Sequence, residues 1–75
     1  IFLDSTLGPF TVGLPNAAAG GSGSFFHLKK IDTTNNNITI SASNSQLIDG
    51  SPTQVISSPY ISLKITSFNN GWWIL

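Results

Sequence analysis

Along most of this chain apolar and polar residues alternate with a period of two, the spacing that sends successive side chains to opposite faces of a pleated strand. The clearest case runs from Tyr60 to Ser67, where Ile61, Leu63 and Ile65 point one way and Ser62, Lys64 and Thr66 the other. Phe10, Val12 and Leu14 share one face of an earlier strand, with Thr11 and Gly13 behind them. Ile38-Thr39-Ile40 repeats the pattern at mid-chain, Gln54 to Ser57 makes a brief strand, and Trp72 to Leu75 closes the chain. Ser24 to Ile31 reads as a further strand with Phe26 and Leu28 in phase. Ile31 falls out of phase, which predicts a bulge or a change of face near Lys29-Lys30. Nowhere do apolar residues recur at helical spacing over the dozen or so residues that a stable helix needs.

Turn chemistry separates these strands. The stretch Ile31 to Gly50 organises the rest: Asn35-Asn36-Asn37 supplies residues that tolerate left-handed backbone, and Asp49-Gly50 is a strong tight-turn dipeptide. Gly8-Pro9, Pro15-Asn16, Ser51-Pro52 and Ser58-Pro59 punctuate the chain elsewhere, and Asn69-Asn70-Gly71 reads as a hairpin turn. Gly50 and Gly71 are the expected positions of positive φ. Ala17-Ala18-Ala19 is too short to nucleate a helix, and Gly20-Gly21-Ser22-Gly23 follows as a flexible connector. Short strands with closely spaced turns predict an all-β fold, a short-stranded β-sandwich or β-prism-like domain occupying residues 1–75. The in-phase apolar set Ile38, Ile40, Ile61, Leu63, Ile65 and Trp72 is its expected core.

A chain of 75 residues buries only about 60% of the surface it exposes when unfolded, so such a core is marginal. Small domains compensate with disulfides, a metal or self-association. There is no Cys, and one His with three scattered acidic residues makes a structural metal site improbable, which leaves self-association. Only 8% of residues are charged and the formal net charge is zero, so Ser, Thr, Asn and Gln must supply the polar surface. The absence of a basic patch argues against nucleic acid as a partner. No apolar run approaches the roughly 20 residues of a membrane helix. The chain starts Ile-Phe-Leu and contains no Met, and the expectation is a fragment, the C-terminal part, of a longer polypeptide.

Candidate chemistry is sparse. His27 could be set with Asp32 or Asp49 and one of many Ser residues as a hydrolytic triad, but no nucleophile-elbow glycine pattern surrounds any Ser. An outer strand position is the simpler reading of His27. The Gly20 to Gly23 loop lacks the Lys-Ser/Thr and the helix that a phosphate cradle requires. The three Asp each sit near a turn, a spacing suited to turn capping rather than metal ligation. Neither a cofactor nor a catalytic residue is expected. Trp73, Tyr60 and Phe68 are candidate ligand or interface contacts, since alternation directs Trp72 inward with Ile74 and Trp73 outward with Leu75. Asn37-Ile38-Thr39 matches a glycosylation sequon, with an accidental match the simpler reading.

The succession DST, F-T-V-x-L-P, a small-residue loop, F-x-L-K-K-I-D, N-N-x-I-T-I, L-I-D-G-S, Y-x-S-L-x-I and a closing G-W-W-I-L, from Asp4 to Leu75, resembles a β-rich module of bacteriophage tail-fibre, tailspike and appendage proteins and of fibre-like proteins of large DNA viruses. The resemblance departs at the last turn, where Asn69-Asn70-Gly71 stands for the usual Asp-Gly. It implies three chains wrapped about an axis, an extracellular setting on a virion, and the remainder of the fibre protein as a partner. Two functions follow as expectations: a structural module that trimerises and stabilises a fibre, or a receptor-binding tip that holds a host surface glycan.

Overall fold

Seven strands form among the described residues, where the alternation is cleanest: β1 (Phe2–Leu3), β2 (Phe10–Gly13), β3 (Phe25–Lys30), β4 (Ile38–Ser41), β5 (Thr53–Ile56), β6 (Ser62–Phe68) and β7 (Gly71–Ile74). They come from a computed structural model that describes residues 1–17 and 24–75. The expected connector at Gly20 to Gly23 and the end of the alanine run lie outside the described residues. No helix occurs among the described residues, and the chain is all-β.

The strands make two small mixed sheets, one ordered β1-β3-β6-β7 and the other β2-β4-β5. β1 runs parallel to β3 and β2 parallel to β4, while the remaining pairs are antiparallel. A parallel pair cannot be closed by a tight turn, and here each parallel connection passes through a strand of the opposite sheet. Leu3, Leu28, Ile65 and Trp72 from the first sheet and Ile38, Ile40 and Ile56 from the second share one hydrophobic cluster with Leu14, Ala17 and Ile48. Phe10, Val12, Phe26 and Leu63 pack against it. Five of the six expected core residues thus line this interior.

Ile61 does not. It is 48% exposed, because Tyr60 takes a left-handed angle (φ 65) immediately before it and the strand begins only at Ser62. Continuing the β3–β6 register places Lys30 opposite Ile61, whose carbonyl accepts the Lys30 amide at 3.0 Å.

Lys30 corrects a second expectation. β3 runs without a bulge through Lys29 and Lys30, and Lys30 follows Phe26 and Leu28 onto the inner face. Ile31 is the residue turned outward. A fully buried lysine requires a counter-charge and acceptors for its protons. Its ammonium lies 2.6 Å from Asp32 Oδ2 and donates to the Thr34 carbonyl at 2.6 Å. Asp32 in turn accepts from the Ser5 amide at 2.8 Å, the Ser5 hydroxyl at 3.0 Å, the Thr34 amide at 3.0 Å and the Thr34 hydroxyl. Asn36 Nδ2 closes the cluster on the Ser5 carbonyl at 2.7 Å. The Asn35 to Asn37 run therefore works through a side chain, and none of the three takes positive φ. Burial acts to raise the Asp32 pKa, but Lys30, Thr34 and Ser5 together outweigh it and hold the carboxylate far below its ordinary value.

The hairpin glycine is also corrected. Gly50 takes φ 83 beside Asp49 at φ 49, as a tight turn requires. In the β6–β7 hairpin the left-handed pair is Asn69 (φ 54) and Asn70 (φ 60), and Gly71 pairs with Phe68 as the first residue of β7. Asn tolerates these angles without the glycine. What Gly71 offers is closeness: a Cβ there would stand 3.4 Å from the Leu47 carbonyl oxygen. Gly50 has open space around it, so Gly50→Val meets only backbone strain, about 1 to 2 kcal/mol. Urea titration should show that loss, and an unchanged midpoint would contradict it.

Candidate functional site

The outer face of the first sheet follows from the same alternation that fills the interior. Phe2 stands beside Lys29 and Ser62, His27 beside Lys64, and Phe25 beside Thr66 and Trp73. Phe68 lies two residues beyond Thr66 on the same face of β6. Phe2 is 79% exposed, Phe68 62%, Phe25 59% and Trp73 45%. The face thus carries aromatic rings at both ends, with the cations Lys29 and Lys64 and the imidazole of His27 between them. Phe68 and Trp73, both singled out by sequence, are brought together: the Trp73 indole Nε1 donates to the Phe68 carbonyl at 2.9 Å. Tyr60 is exposed but belongs to the turn before β6, at the opposite end of that strand from Phe68, so it does not join them.

β7 is the last strand of its sheet, yet its outer edge is occupied. Trp72 N donates to the Leu47 carbonyl at 2.8 Å, Asp49 N donates to the Trp72 carbonyl at 3.0 Å, and Ile74 N donates to Asp49 Oδ1 at 3.0 Å. Ile48, fully buried, anchors the segment. This docking brings three left-handed turns side by side: Asn44-Ser45 (φ 54 and 58), Asp49-Gly50 and Asn69-Asn70. Five of the six non-glycine residues with positive φ among the described residues belong to them.

Between these turns opens a cleft of about 550 Å³. Gly71 and Trp72 line its inner part, and Asn44, Ser45, Leu47, Asn69, Asn70 and Trp73 are exposed around it. Gln46, also lining it, is fixed by the Ala17 amide on its Oε1 at 2.8 Å and by its own Nε2 on Asn16 Oδ1 at 2.6 Å. None of the described residues lining the cleft is ionisable. Trp72 Nε1 is the one buried side-chain polar atom among the described residues with no hydrogen-bond partner.

The residues that could have formed a triad are dispersed. His27 faces outward on β3, Asp32 is buried against Lys30, and Asp49 binds the β7 backbone. Asp4 caps its own turn through the Thr6 amide at 2.9 Å. No group of three or more His, Cys, Asp or Glu able to hold a metal ion occurs among the described residues. The sequence singles out Trp73 and Phe68 as exposed candidates but does not reveal the cleft. Its only signal was the high frequency of Asn and Ser in segments read simply as turns. Compared with known proteins, the chain matches no family model, no curated protein and no solved structure.

Proposed function

We propose that this chain is a non-catalytic assembly module that joins identical copies through the outer face of its first sheet. One observation carries the reading: Phe2, Phe25, Phe68 and Trp73, each 45% exposed or more, share that face. At about 150 to 250 Å² per aromatic side chain they present on the order of 500 Å² of apolar surface. Divided between the two ends of the face, that is still a large part of the roughly 800 Å² each partner contributes to a stable interface.

The central stripe of Lys29, Lys64 and His27 bears on symmetry. A two-fold pairing centred on this face would set the stripe against itself, whereas a cyclic ring sets each face against a different surface of the next copy. This favours a ring over a two-fold pair, and the choice of three copies, a homotrimer, rests on the fibre resemblance. The fibre setting, the virion location and the rest of a longer fibre protein as a partner are supported by the succession of residue motifs from Asp4 to Leu75.

Light scattering and sedimentation over a range of concentrations provide the test. A trimer is expected for the native chain, with a melting temperature that rises with concentration. Phe25→Ser combined with Phe68→Ser should give a folded monomer, since both side chains are exposed in the single chain. A native chain that stays a folded monomer throughout would overturn the reading.

A further inference from the structure

We propose that the cleft between the Asn44-Ser45 and Asn69-Asn70 turns binds a neutral oligosaccharide. The inference rests on what the cleft offers a ligand and shares one residue, Trp73, with the assembly face, so it requires the Trp73 ring to stay open to the cleft when copies associate. The side chains of Asn44, Ser45, Asn69 and Asn70 make no hydrogen bond to any other described residue. Two pairs of neighbouring groups therefore carry unused donors and acceptors into one cavity, on backbones already fixed in left-handed turns. Carboxamides and hydroxyls both donate and accept, as sugar hydroxyls do. Groups held in place before binding lose little freedom when the ligand arrives.

Trp73 supplies the apolar part. The bond from its Nε1 to the Phe68 carbonyl holds the indole in position while 45% of the residue stays exposed. Such a ring suits the C–H surface of a pyranose, one side of which is apolar while the rim is hydroxylated. A volume of about 550 Å³ lies within the usual range of small-ligand sites, roughly 300 to 1,000 Å³.

The remaining ligand classes fit less well. A carboxylate or phosphate would enter a cleft with no cation on its walls and forgo the charge-assisted bonds that such groups make elsewhere. A wholly apolar ligand would leave the amides it displaced from water unpaired. An extended peptide would need a free strand edge to pair with, and the neighbouring β7 edge is taken by Leu47 and Asp49.

The test is a titration of the isotopically labelled chain, followed by NMR, with maltotriose, cellotriose, chitotriose, mannotriose and lactose, and with sialyllactose as the charged counterpart of lactose. At least one neutral sugar should shift the side-chain amides of Asn44, Asn69 and Asn70 and the Trp73 indole N–H at millimolar concentration. Asn70→Gly keeps a residue that tolerates positive φ but removes the amide, and should weaken binding about threefold to tenfold, the equivalent of one neutral hydrogen bond. Trp73→Ala should weaken it about tenfold or more. Retention of the chain on amylose, cellulose, chitin or mannan would show that the sugar is read within a polymer, and binding of trisaccharides alone that it is read at a chain end. Silence with every neutral sugar, shifts centred away from the cleft, or tighter binding of sialyllactose than of lactose would each overturn the proposal. Light scattering on the same samples keeps this outcome separate from that of the assembly reading.

Discussion

Asp32→Ala is expected to be among the most damaging single changes in this chain. It leaves the Lys30 ammonium fully buried with only the Thr34 carbonyl and hydroxyl as acceptors. A buried ion pair broken from one side typically costs about 3 to 5 kcal/mol, because the surviving charge has neither water nor counter-charge. That is a large share of the roughly 5 to 15 kcal/mol by which domains are stable. Adding Lys30→Met should recover part of the loss. It cannot recover all of it, since the Ser5 and Thr34 amides that Asp32 accepts remain without their acceptor. Urea unfolding of the two single variants and the double variant measures the coupling directly. Near-wild-type stability of the Asp32 variant would show that the pair does not hold the fold.

The same carboxylate fixes the direction of acid sensitivity. Its folded pKa lies below its unfolded one, so its contribution is fully present above about pH 5, where both states are ionised. As pH falls below the ordinary carboxylate range, the unfolded chain takes up a proton that the folded chain refuses, and the contribution declines. The Asp32→Ala variant should therefore lose less stability on acidification than the native chain.

Trp72→Ala should cost about 3 to 5 kcal/mol through loss of burial and the cavity left behind. Trp72 is 1% exposed, meets Phe26 at a ring separation of 5.6 Å, and bonds through its backbone to the segment carrying Ile48. Those anchors resist the collapse that would otherwise fill the space. Trp72→Phe should be milder than size alone implies, because it deletes a buried N–H that has no partner. Fluorescence-detected urea unfolding, with Trp73 as the reporter in the Trp72 variants, reads both effects. A loss below about 1 kcal/mol for Trp72→Ala would remove Trp72 from the core.

How much of this could be read from the chain depends on how local each cause is. Ile38, Ile40, Ile65 and Trp72 were legible because period-two alternation is a property of a few neighbouring residues. Lys30 occupies an inner position in the same phase as Phe26 and Leu28, but a charged residue reads as outward until its partners are known. Of those partners Asp32 and Thr34 are near neighbours in sequence, and only Ser5 comes from a separate part of the chain. At the last hairpin the turn was legible and its register was not: Asn-Gly and Asn-Asn both satisfy left-handed angles, and the pairing of Phe68 with Gly71 decides between them. The cleft was hidden for a related reason. Asn44-Ser45 and Asn69-Asn70 become neighbours only because Ile48 is buried and draws its turn against β7.

The interleaving of the two sheets has a consequence for divisibility. β1 and β3 belong to one sheet and β2 and β4 to the other, so a cut at either connection between β2 and β4 separates paired strands of both sheets. No continuous stretch of the chain contains one complete sheet without strands of the other. The two sheets are therefore expected to gain and lose order together.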